Sequence, residues 1–97
     1  MNKKMQLVLD IMQLGVEISK NTKTDVFVDY AGHVDQLLVR IYEDGWGKDK
    51  EHYSKDIYLN AEAYRTEEDI IETLEEIYAE LVDIMLNWWI YHDTCRP

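Results

Sequence analysis

Residues 25–43 read DVFVDYAGHVDQLLVRIYE, and the parity of this stretch decides the fold. Val26, Val28 and Tyr30 fall on one side of an extended chain, and Asp25, Phe27 and Asp29 on the other. Ala31-Gly32-His33 reads as a short turn in which glycine supplies backbone freedom. From residue 34 the alternation resumes: Leu37, Val39 and Ile41 share one face, and Gln36, Leu38, Arg40 and Tyr42 the other. Two alternating runs joined by a short turn predict an antiparallel hairpin with one apolar face.

On the C-terminal side, DGWGKDKEH at 44–52 reads as a loop, because Asp44-Gly45 starts a turn and Lys48 and Lys50 keep it polar. YSKDIYLN at 53–60 then predicts a third strand, with Ile57 and Leu59 opposite in parity to Tyr58. Short links favour an antiparallel meander. Residues 4–20 predict a helix, in which Leu7, Ile11, Leu14 and Ile18 recur at helical spacing and Val8, Met12 and Gly15 widen the stripe. Gly15 lowers helix propensity but allows a neighbouring backbone to come close. The polar KNTKT at 20–24 ends this helix.

The second helix starts at Thr66, which reads as an N-cap with Asp69 three residues on, an imperfect capping box because Glu or Gln is usual there. It is expected to run to about residue 92. Positions 70, 74, 77, 81, 84, 88 and 91 are Ile, Leu, Ile, Leu, Ile, Trp and Tyr, an unbroken alternation of four and three. The expected fold class is therefore α+β: a single domain over residues 1–97, a two-layer sandwich in α-β-β-β-α order, with both helices on one face of a three-stranded meander.

Composition narrows the function classes. The net charge is -10, and it is uneven: residues 1–65 carry nine basic and eleven acidic side chains, residues 66–97 one and nine. Direct contact with nucleic-acid phosphates is disfavoured, since it needs clustered Lys and Arg. A lone cysteine, Cys95, excludes an internal disulfide, and no apolar run approaches a membrane span, so a soluble cytoplasmic protein is expected, with no membrane contact. His92 and Cys95 at the C-terminal end do not complete a zinc motif, and His33 and His52 read as turn and loop residues. There is no phosphate-binding glycine loop, no nucleophile elbow and no singled-out carboxylate pair, so catalysis, cofactor and metal are not expected.

VFVDYAGHVDQLLVRIYEDGW, residues 26–46, resembles the hairpin of small uncharacterised proteins of phages and prophages of Gram-positive bacteria. The resemblance is carried by Gly32-His33-Val34, Val39-Arg40-Ile41-Tyr42 and Gly45-Trp46. It implies a phage context, in the host cytoplasm, and makes His33, Arg40, Tyr42 and Trp46 candidates for a shared surface. It brings no known activity and no catalytic residues.

Three surfaces are candidates for function. A helix over residues 67–92 spans about 39 Å at 1.5 Å per residue, and a seven-residue strand about 23 Å, so the helix overhangs its sheet near LNWWIYH. Leu81, Ile84, Met85, Trp88, Trp89 and Tyr91 are the expected homodimer contact there. Glu68, Glu72, Glu75, Glu76, Glu80 and Asp83 form an acidic face with no Lys or Arg between them. The default role of such a face is solvation; the sharper one is to receive a basic partner. Phe27, Leu38, Arg40, Tyr42 and Tyr58 lie on the outer sheet face, suited to a protein contact more than to base stacking. Two functions follow as expectations: a non-catalytic phage accessory protein working through protein contacts as a homodimer, or an acidic inhibitor that mimics nucleic acid toward a host defence or DNA-processing protein.

Overall fold

The computed structural model describes residues 2–47, 53–62 and 65–94, with backbone alone for 90–94. The element order is α1 Lys3–Asn21, β1 Asp25–Ala31, β2 Gln36–Tyr42, β3 Tyr53–Tyr58 and α2 Glu67–Thr94. This is the expected α+β sandwich. The sheet is an antiparallel meander in the order β1-β2-β3.

The hairpin follows the parity of the sequence. Val26 pairs with Ile41, Val28 with Val39 and Tyr30 with Leu37, and Leu37 pairs onward with Ile57. Leu37, Val39 and Ile41 have no exposed surface, so the central strand is sealed by the helices above it. The turn is longer than expected: β1 and β2 close on Ala31 and Gln36, and Gly32, His33, Val34 and Asp35 form the bend. Val34 therefore belongs to the turn. The left-handed residue is Asp35, at φ 51°, a conformation that Asp tolerates better than most residues. The same bend shortens β3. Leu59 donates its N–H to the Asp35 carbonyl at 2.8 Å, where β2 has already turned away, so the ladder stops at Tyr58.

α1 begins at Asn2, whose side chain accepts from the Met5 N–H at 2.8 Å. It buries Val8, Ile11, Gly15 and Ile18 against the sheet. It ends where the Thr22 N–H and hydroxyl both bond to the Ile18 carbonyl. Gly15 does admit a close approach, but by side chains: a Cβ there would stand 3.1 Å from Val26 Cγ1 and 3.2 Å from Val28 Cγ2.

α2 starts in a closed capping box. Thr66 Oγ1 accepts from the Asp69 N–H, and the Asp69 carboxylate accepts from the Thr66 N–H, both at 3.1 Å. Asp is long enough to replace Glu here. These bonds to Thr66, the backbone one foremost, lower the Asp69 pKa. Ile70, Leu74, Ile77 and Leu81 are fully buried, which makes the expected seam the inner face of the sandwich. Each such side chain stabilises the fold by about 1.5–3 kcal/mol through burial. The two helices run parallel, because the four links that join them through three antiparallel strands reverse the chain an even number of times. Lys4 accordingly lies beside Glu67, and the end of α1 beside Ile84.

Three substitutions test this account. Thr66→Ala is expected to cost about 1 kcal/mol in urea unfolding. The Asp69 contribution is complete above the ordinary carboxylate value of 3.8 and is lost as pH falls through its lowered value, so the gap between wild type and Asp69→Ala closes in acid. Gly15→Leu is expected to cost about 1–3 kcal/mol by overpacking on Val26 and Val28, read from the same urea curves.

Candidate functional site

The structure separates the residues expected at the dimer contact. Leu81 has no exposed surface and lies in the core, so it cannot meet a second copy without unfolding; its position on the inner seam is the reason. Ile84 and Met85 are half-buried against the same core. Trp88 is half-buried and lines a cleft of about 550 Å³ with Ile84, Thr24 and Glu43, where the α1–β1 turn and the end of β2 face α2. Trp89 stands 63% exposed, and Leu86 is exposed beside it. The side chain of Tyr91 lies outside the described residues, as do those of His52, His92 and Cys95.

The exposure of Trp89 has a geometric cause. Ile71, Tyr78, Met85 and Trp89 run down the α1-facing flank of α2, at successive steps of seven, seven and four residues. Tyr78 and Met85 pack against the core, and Tyr78 lines a cavity with Asp10, Leu14 and Glu17 of α1. With 19 residues against 28, and with both starting at the same end, α1 stops before α2 does. Trp89 continues the flank at the level where α1 ends, since Asn21, its last residue, lines the cleft of Ile84 and Trp88. The overhang read from strand length is thus present, and its edge is set by the shorter helix.

On the acidic face, Glu68, Glu72, Glu75, Glu76 and Asp83 are exposed and Glu80 is half-buried. One expectation changes. Glu75 is not without a cation: Lys3 of α1 approaches it at 3.5 Å, and Lys4 pairs with Glu67 at 2.8 Å. Lys3 and Glu75 are both more than half exposed, so this pair adds under about 1 kcal/mol. Among the described residues, Glu68, Glu72, Glu76, Glu80 and Asp83 have no ion pair. Glu76 and Glu80 lean toward β3, where the Tyr53 phenol is pushed up, first by burial and then by the charges of Glu80 and Glu76.

The outer sheet face is divided. Phe27 and Tyr42 meet edge to face at 5.5 Å, and the Arg40 guanidinium covers the Phe27 ring at 5.3 Å. Arg40 also reaches Asp29 at 3.5 Å, while its Nε is buried without a hydrogen-bond partner. Leu38 pairs with Asp29 and Asp56, and Tyr42 with Asp25. Tyr58 stands apart, under Arg65 at 5.4 Å, at the start of α2. His33 and Trp46 are exposed at turns, and the Trp46 N–H donates to Asp25 at 2.8 Å.

Sequence reasoning missed a fourth surface. Met5, Leu9 and Val16 are exposed on α1, on the side turned away from α2. Their spacing of four and seven residues was the available signal, hidden beside the stripe that became the core. Among the described residues no group of His, Cys, Asp and Glu is placed to hold a metal ion, and no helix is long and apolar enough to cross a membrane. No protein family matches the chain, and no curated protein and no solved structure is similar to it.

The acidic environment of Tyr53 can be read directly. In a ¹³C-tyrosine titration, Tyr53 is expected to deprotonate above the ordinary value of 10.0, and Glu76→Gln with Glu80→Gln to bring it part of the way down, since burial remains. Because the raised group holds its proton more tightly in the fold, its contribution to stability is lost as pH rises above 10.0.

Proposed function

We propose that this chain is a non-catalytic accessory protein of a phage or prophage that works through protein–protein contacts and pairs with a second copy through the overhang of α2. Trp89 carries the proposal: a large aromatic, 63% exposed, on a flank whose earlier residue Tyr78 packs against the core beside α1. A second overhang, related by a two-fold axis, supplies the cover that α1 supplies farther up the same flank. Leu86 and the half-buried Met85 enlarge the apolar contact. Electrostatics permit the pairing despite the net charge of -10, because Glu72, Glu76, Glu80 and Asp83 lie about 100° or more around α2 from Trp89. Buried aromatics of this kind dominate interface energies. The hairpin's resemblance to phage proteins supports the setting.

The second reading is an acidic inhibitor that fills a nucleic-acid-binding groove. Exposed Glu68, Glu72 and Glu76, without ion pairs among the described residues, favour it.

The two readings separate by mutation. Light scattering on a sizing column is expected to give twice the 11.6 kDa chain mass for wild type and the single mass for Trp89→Glu. A wild-type monomer at high concentration sinks the homodimer. Reversing Glu72, Glu76 and Glu80 to Lys is expected to leave the dimer intact. If that variant alone stops retaining a basic nucleic-acid-binding protein in low salt, the inhibitor reading replaces the first.

A further inference from the structure

β1 is an edge strand, and its outward backbone groups are identifiable. In an antiparallel ladder, alternate residues turn both N–H and C=O toward the same side. The Val26 N–H donates to Ser19 Oγ at 2.9 Å, so Val26 turns away from β2 and its N–H is taken by α1. Val28 and Tyr30 share its parity and turn their N–H and C=O outward as well, beyond the reach of Ser19.

A groove runs above this edge. Met5, Leu9, Met12 and Val16 line its α1 side in two adjoining cavities of about 310 and 370 Å³ that share Met12. Val26, Val28 and Tyr30 form its floor. Met5, Leu9 and Val16 are 51, 42 and 55% exposed, an apolar row that covers nothing in the described chain. A strand added beside β1 meets free backbone groups at Val28 and Tyr30, and its inward side chains meet that row.

The charges select the occupant. Asp29 and Asp35 line the groove. Its cation, Lys4, is held by the Leu59 carbonyl at 2.7 Å and by Glu67 at 2.8 Å. Among the described residues Asp29 has only the Arg40 contact, at 3.5 Å. A second copy fits badly: antiparallel self-pairing through Val28 and Tyr30 sets Asp29 opposite its own copy, and like charges directly opposite are destabilising. A shift of register toward Val26 meets the Ser19 hydroxyl. We propose that the β1 edge binds an extended segment of another protein, with apolar side chains at alternate positions under α1 and a Lys or Arg opposite Asp29.

The test is hydrogen exchange of the whole chain with an acetylated peptide of about eight residues alternating valine and lysine, long enough to span β1. In the free protein the Val28 and Tyr30 amides are expected to exchange about ten-fold or more faster than those of Phe27 and Asp29, which bond to β2. The peptide is expected to slow both by about ten-fold or more, and a valine–glutamate peptide to bind about ten-fold more weakly. Leu9→Lys with Val16→Lys, at exposed positions outside the core, is expected to abolish the slowing while circular dichroism stays unchanged. Val28→Pro removes an outward N–H without touching the β1–β2 ladder and is expected to weaken binding too. The proposal is overturned if the lysine peptide slows neither amide, or if the glutamate peptide binds as tightly. It is also overturned if both amides become protected with rising protein concentration alone, which assigns the edge to a second copy.

Discussion

The burial of Leu37, Val39 and Ile41 is the constraint on which the rest depends. They belong to the central strand, and all three have no exposed surface. A three-stranded sheet cannot seal its own middle strand, so both helices must lie over one face. Among the described residues the outer face then has no layer of its own, and contacts among its side chains protect it, as where Arg40 lies over Phe27.

An odd number of strands makes the helices parallel, and that fixes which charges meet. The N-termini of α1 and α2 lie side by side, two positive dipole ends together. α1 has no acid in its first turn, whereas α2 has Glu67, Glu68 and Asp69. Glu67 reaches across to Lys4, which also holds the end of β3 through Leu59. The first turn of α2 thus serves the start of both helices. Part of the acidity concentrated after residue 66 is explained by the fold in this way.

Much of this architecture was legible in the sequence because it rests on periodicity. Alternation gave the inner face of β1 and β2 residue by residue, and the four-three spacing gave Ile70, Leu74, Ile77 and Leu81. The turn was misjudged because Asp35 takes the left-handed conformation, which a scan for glycine passes over. Leu81 was assigned to a surface because a seam shows that a side is apolar, not what covers it. The ion pairs of Lys3 and Lys4 were invisible for another reason: they join residues more than sixty positions apart and require the relative direction of the helices. The row of Met5, Leu9 and Val16 was hidden because α1 carries two apolar flanks, and a single-stripe reading keeps the stronger.

Length mismatch and charge together say where partners belong. The fold accounts for Glu67, Asp69 and Glu75 through Lys4, the capping box and Lys3. It does not account for Glu72, Glu76 and Glu80, spaced at four and repelling one another along α2, at about 0.2–0.5 kcal/mol for each such pair. Nor does the fold cover Trp89, which stays exposed where α1 ends. The β1 edge differs from both, since it offers unpaired backbone rather than side chains alone. The first of these surfaces suits a cation, the second another apolar helix end, and the third an extended strand. The first two lie on α2, which runs beside β3, and the third lies at the opposite edge of the sheet, beside α1.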